Sequence, residues 1–279
     1  MEDESIKDKK VELPKKAYEL LSWAEKGGGV TVRDDQHEFS CLLDSVKICR
    51  QSGCRFRLID SGKFDRFQLE WLAEAGADLY TSDEARTEAS ELELVNRACK
   101  KGGAIVAYFH HRPLESEEES SSVSFSNLKD MGRSGIYLYL SNRERKREIS
   151  QLNELAYACR KGGSWLVYYL HGSLKSPLED LAKNGAWIHI SDQSFEALED
   201  PTLVLDKVRS AISAGARLIL HVEKGLDFSL LCDVIKTGVY VLFKSSLFDY
   251  KSPFRTLERK ARKRKLDFRA YYLYPTFLP

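Results

Sequence analysis

CRKGGSWLVYYLHG, Cys159 to Gly172, is the stretch whose reading decides the fold. A basic helical end runs into two glycines, an unbroken apolar run follows, and the run stops at a polar tip. Glycine accepts the positive φ that closes a helix, and a short continuous apolar run reads as a strand buried on both faces. Relatives recur as ACKKGGAIVAYFHH (Ala98–His111), ICRQSGCRFRLIDS (Ile48–Ser61) and AISAGARLILHVEK (Ala211–Lys224). The tips Ser61, His111, His171 and Glu223 each stand eight positions after a glycine.

A second class of strand alternates with the first. It reads GGVTVRDD (Gly28–Asp35), GADLYTSD (Gly76–Asp83), GIYLYLSN (Gly135–Asn142), GAWIHISD (Gly185–Asp192) and GVYVLFKS (Gly238–Ser245), with the tip seven positions after the first glycine. Registers this constant mark one repeated supersecondary unit. Helical stripes fill the gaps: Leu152, Leu155, Ala156 and Cys159; Leu205, Val208 and Ile212; Leu42, Val46 and Cys49. The unit is strand, short helix, strand, long helix, which builds a parallel sheet through right-handed crossovers.

Eight such units close a barrel. The predicted fold is α/β, a single (β/α)8 TIM-type barrel with an N-terminal helix from Pro14 and a basic C-terminal helix. Nine strands are on offer, so either Val30–Arg33 is the first strand and a later one is peripheral, or it is an extra and the barrel runs from Arg55 to Phe243. A leucine-rich-repeat-like solenoid is the alternative, since GIYLYLSN carries the L-x-L-x-x-N spacing. It needs a solvated concave face, against which the aromatic runs argue.

The predicted layout is a flexible N-terminus over residues 1–13, the barrel over 14–251, and a basic helix and tail over 252–279. Within the barrel, RPLESEEESSSVSFS (residues 112–126) is acidic, Ser-rich and too polar to pack, and reads as a mobile insertion. In the C-terminal segment Leu257, Ala261 and Phe268 share one face, and Arg259, Lys260, Arg262, Lys263, Arg264 and Lys265 cover the rest. That surface is either a solvated helix face or a patch for nucleic acid or an acidic partner.

Lys and Arg total 43 against 42 for Asp and Glu, leaving a formal charge of +1. No global field therefore favours nucleic acid or an anionic membrane. The six cysteines form no C-x-x-C pair, and Cys49, Cys99 and Cys159 occupy one equivalent helical position in three repeats. They are expected to be reduced, buried small hydrophobes in a reducing compartment. With no apolar leader and no membrane-length run, a soluble, cytoplasmic protein is expected.

Barrels of this kind work at the strand C-termini. The tips placed there are Asp35, Asp60, Ser61, Asp83, His110, His111, Asn142, His171, Asp192, Glu223, Lys224 and Lys244. Asp, Asn and Ser at such positions also serve as N-caps. The catalytic candidates are His110, His111, His171, Glu223 and Lys224, since imidazole and carboxylate exchange protons near neutrality and a desolvated lysine can form a Schiff base. Asp60, Asp83, Asn142 and Asp192 are the ligand-binding candidates. His111 and His171 share a register two strands apart, which puts them on one mouth.

A divalent metal on these imidazoles and carboxylates is conceivable chemistry, but neither H-x-H nor H-E-x-x-H occurs, so no metal ligand is assigned. The glycine pairs follow helices and open strands, the reverse of a phosphate loop, and no G-x-S-x-G elbow is present. The function expected is a small-molecule-binding or enzymatic barrel of unspecified reaction. The alternative is a non-catalytic module binding a protein or nucleic acid through the acidic loop Glu115–Glu119 and the basic helix.

Overall fold

The computed structural model describes residues 17–25, 29–114, 123–143, 146–172, 178–192, 201–222, 227–244, 253–263 and 268–271. Ten strands form one sheet: β1 (Val30–Arg33), β2 (Phe56–Ile59), β3 (Ala77–Ser82), β4 (Val106–Phe109), β5 (Tyr137–Ser141), β6 (Leu166–Leu170), β7 (Trp187–Ser191), β8 (Arg217–Val222), β9 (Tyr240–Lys244) and β10 (Phe268–Tyr271). Every pairing is parallel and the strands stand side by side in chain order from β1 to β10. Helices alternate with the strands: α1 (Ala17–Glu25), α2 (Phe39–Gln51), α3 (Arg66–Ala75), α4 (Ala89–Gly102), α5 (Phe125–Arg133), α6 (Ile149–Gly162), α7 (Glu179–Lys183), α8 (Pro201–Ser213), α9 (Phe228–Thr237) and α10 (Pro253–Lys263).

This is the parallel α/β order of a (β/α) barrel, with ten strands in the sheet where the sequence predicts eight. All nine candidates lie in this one sheet, and β1 pairs with β2 along its whole length. The tenth strand lies where the basic helix was expected to continue. α10 stops at Lys263, and Phe268–Tyr271 pairs with Val241–Lys244. Aromatic residues in FRAYY favour the pleat over another helical turn. Among the described residues, β1 pairs only with β2 and β10 only with β9.

One sheet face is packed under the helices. Val30, Val32, Phe56, Leu58, Leu79, Leu138, Leu140, Ile188, Ile190, Leu218 and Leu220 join Leu42, Val46, Leu152, Leu155 and Val208 in one apolar cluster. Full burial of each such side chain contributes about 1.5–3 kcal/mol. Alternation sends the residues between them to the opposite face, where β5 and β7 show half-buried Tyr137, Tyr139, Trp187, His189 and Ser191. Strands β4 and β6 are buried on both faces, as their continuous apolar runs require.

The paired glycines divide two tasks. Gly103 and Gly163 close α4 and α6 at φ of 72° and 79°. Gly102 and Gly162 instead permit contact: a Cβ on Gly102 would stand 2.1 Å from the Ala73 carbonyl oxygen, and one on Gly162 the same distance from that of Gly132. Each long helix thus ends against the short helix before it. Cys49, Cys99 and Cys159 are fully buried as expected, and all six cysteines are free.

At the two ends of the expected insertion, residues 112–126, the chain is held in place. Leu114 and Val123 are buried, and Ser124 caps α5 by accepting from the Asn127 N–H. Only residues 115–122 of it lie outside the described residues.

Candidate active site: a histidine pair on the open face

The strand tips come first, because they hold the sheet's C-terminal edge. Asp83 Oδ2 accepts the N–H groups of His111 and Arg112, each at 2.9 Å. Asn142 Oδ1 accepts from His171 N–H at 2.7 Å while its Nδ2 donates to the His171 carbonyl at 3.0 Å. Asp34 accepts from the Ser61 N–H at 3.0 Å. At the end of β1, β3 and β5 a side chain thus clamps the backbone at the end of the next strand. The first clamp is Asp34, buried, whereas the expected tip Asp35 is exposed and pairs with Arg33. Asp83 and Asn142 stand among the ligand-binding candidates, with capping of the following helix as the alternative role. They are cross-strand clamps, since a strand end left unpaired beyond the ladder has N–H groups to satisfy.

Asp60 is engaged throughout: its oxygens accept from the Gly62 N–H, the Thr81 hydroxyl and the Arg86 guanidinium. Arg147 reaches back in the same way, donating to the carbonyls of Ser141, Arg112, His110 and His111. Burial pushes the Asp83 carboxyl up, but His110 and the Arg112 N–H outweigh it and hold the pKa below the usual carboxylate range. His110 Nδ1 lies 3.0 Å from Asp83 Oδ2, and both side chains are closed off from solvent. By alternation His110 follows Val106 and Tyr108 onto the helix side, away from the face that carries Phe109.

The sheet face away from the helices carries a row of rings across six strands, of which Phe109, Tyr169 and His221 are buried and Tyr80, Tyr139 and His189 half-buried. Phe109 and Tyr139 have centroids 4.4 Å apart, with Tyr80 before them, and Tyr139 leads to Tyr169 at 6.4 Å. Tyr169 lies 4.3 Å from His189 and 6.2 Å from His221. The row ends on the two histidines, where His189 Nδ1 is 2.7 Å from His221 Nε2. Register explains the meeting: His189 stands opposite Tyr169 and Ile219, and His221 opposite Ser191 and Leu242.

A contact of this length between two ring nitrogens holds one proton. Burial, and then the nearby His221, keep His189 well below the ordinary imidazole value. Burial, with His171 adding to it and Asp192 opposing it, lowers His221 to about 4. Both rings are therefore neutral at pH 7. One nitrogen of the contact donates and the other accepts, so the outer nitrogen of the donor ring is a base and that of the acceptor ring an acid. When the outer base takes a proton, the shared proton passes across the contact and the outer acid gives its own proton up, so both rings stay neutral and their roles are exchanged.

Of the sequence candidates, His171 comes close enough to oppose a charge on His221, and Asp192, fully buried, close enough to favour one. His111 is half-buried at the same edge. Glu223, Lys224, Arg264 and Lys265 lie outside the described residues. Lys244 ends β9. Lys260 donates to Cys232 Sγ at 3.2 Å, while Arg259, Arg262 and Lys263 are exposed. Sequence reasoning missed His189 and His221. The usable signal was the alternation of GAWIHISD, which sets Trp187, His189 and Ser191 on one face and Ile188 and Ile190 on the other.

Among the described residues no group of three or more His, Cys, Asp or Glu could hold a metal ion, and no helix is long and apolar enough to cross a membrane. No family model matches the sequence, and no curated protein does. Solved structures that align with this chain include three enzymes. A mutant tryptophan synthase α-subunit from Pyrococcus furiosus is 13% identical, with 86% of this chain and 98% of that one covered and a TM-score of 0.35. A β-mannanase from Streptomyces thermolilacinus is 11% identical, covering 90% and 80%, at 0.35. Phospho-2-dehydro-3-deoxyheptonate aldolase from Thermotoga maritima is 16% identical, covering 77% and 72%, at 0.33. At TM-scores of this size the likeness assigns neither a reaction nor a site.

Proposed function

We propose that the protein binds a small uncharged molecule against the sheet face away from the helices and moves protons on it with the His189–His221 pair. The carrying observation is the 2.7 Å contact between the two imidazoles. Its cross-strand neighbours Tyr169, Ile219, Ser191 and Leu242 bear no charge, so a neutral ligand loses least on entering. Tyr139 and Tyr169 supply ring faces and hydroxyls, and His171 joins the site from the end of β6. Six free cysteines fit a reducing compartment, and we read the protein as cytoplasmic.

The test is a screen of neutral metabolites read by imidazole NMR, with His189→Gln and His221→Gln beside the native protein. Ligands should shift the His189 and His221 resonances and bind at least about tenfold more weakly to either variant. Ligands that leave both resonances unmoved, or no ligand at all, would remove the proposal.

A further inference from the structure

The opposite end of the same sheet face holds a second cluster. Trp165 directly precedes β6, and Trp187, Arg217 and Tyr240 open β7, β8 and β9. Trp187 stands opposite Arg217 in the ladder, and alternation sets Trp165 and Tyr240 on their face. The guanidinium carbon of Arg217 lies 4.7 Å from the Trp165 ring centroid and 5.1 Å from that of Trp187. Trp187 in turn stacks on Tyr240, centroids 6.2 Å apart and planes 25° from parallel. Gly185 leaves the space Trp165 occupies, since a Cβ there would stand 3.2 Å from Trp165 Cζ3.

Two donors in this cluster lack acceptors among the described residues. Arg217 is exposed, and its contacts there are with rings. Trp187 Nε1 is buried without a hydrogen-bond partner. A guanidinium held against aromatic rings keeps its in-plane N–H fork for a carboxylate or phosphate, and the rings have already taken up much of its rotamer freedom. The local field does not oppose an anion: helix C-termini point to this end, but Arg160 and Lys161 occupy the last turn of α6, just before Trp165.

We infer that Trp165, Arg217, Trp187 and Tyr240 form a binding site for an oxyanion borne on a flat ring, an aromatic carboxylate or a nucleotide phosphate. Arg217 grips the oxyanion, Trp187 Nε1 donates to it, and the exposed ring surface covers the flat group. The site is separate from the histidine pair and does not depend on it.

Intrinsic tryptophan fluorescence of the full chain tests this with four probes: benzoate, adenosine monophosphate, inorganic phosphate, and benzamide as the uncharged ring. Benzoate or the nucleotide should give saturable quenching at least about tenfold tighter than phosphate or benzamide, and whichever binds identifies the source of the anion. Arg217→Gln should abolish it and Arg217→Lys weaken it at least about tenfold, both with native circular dichroism and melting. His221→Gln should leave it unchanged, which separates this site from the proton-transfer reading. Benzamide binding as tightly as benzoate, undiminished binding in a folded Arg217→Gln protein, or no saturable signal from any probe overturns the inference.

Discussion

The carbonyl oxygen of Gly132 passes so close to Gly162 that a Cβ on Gly162 would stand 2.1 Å from it, which fixes where α6 ends against α5. Gly162→Ala must therefore push the two helices apart, whereas Gly163→Ala meets no atom within 4 Å and strains only a φ of 79°. Gly162→Ala should cost about 3 kcal/mol or more, and Gly163→Ala about 1 kcal/mol. Urea unfolding of both variants gives the order, and equal losses would mean that helix closure, not close approach, sets the cost.

The histidine pair gives stability a sign with pH. An ordinary imidazole titrates near 6.5, and His221 in the fold near 4. Between those values the unfolded chain holds a proton that the folded chain refuses. Stability is then full above about pH 6.5, falls as pH drops towards 4, and flattens below. The shift corresponds to about 3 kcal/mol for His221, with His189 acting in the same direction. His221→Gln should flatten the difference in unfolding free energy between about pH 7 and about pH 4.5. An unchanged slope would mean that the pair does not hold off its proton.

Asn142 both accepts from and donates to the backbone of His171. Asn142→Asp keeps the acceptor but turns a carboxylate oxygen towards the His171 carbonyl, where the amide nitrogen stood at 3.0 Å. We expect a loss of about 1–3 kcal/mol at pH 7, partly recovered when the new carboxyl is protonated. A variant as stable as the native protein at pH 7 would mean that β5 and β6 do not need the clamp.

Thiol reactivity should follow burial. Cys99 and Cys159 are pushed up to about 12 by burial, and so is Cys49 with Cys54 adding to it. Cys54 is only half-buried. Labelling of the folded protein should reach Cys54 well before Cys49, Cys99 and Cys159. Reaction of all four at one rate would place the three equivalent cysteines outside the core.

The repeat was legible because its carriers act locally. Glycine at a positive φ, an apolar strand and a striped helix each follow from a few neighbouring residues, so the alternation, the parallel sheet and the buried cysteines could be read from the chain. The strand count could not. Whether Phe268–Tyr271 continues α10 or joins Val241–Lys244 depends on an exposed sheet edge elsewhere in the molecule.

Tertiary structure alone decided what each strand tip touches. By itself the sequence determined that Asp83, His110, Asn142 and His171 gather at the strand ends. Alternation past the ladder then turns Asp83 and Asn142 onto neighbouring backbone and closes His110 away, because strand-end N–H groups must find acceptors. The histidine pair depends on ladder register, which brings residues from β7 and β8 within 2.7 Å although 32 positions separate them in the chain. The cluster at Arg217 forms for the same reason: each strand offers one ring or one guanidinium, and only their parallel stacking in the sheet puts them in contact.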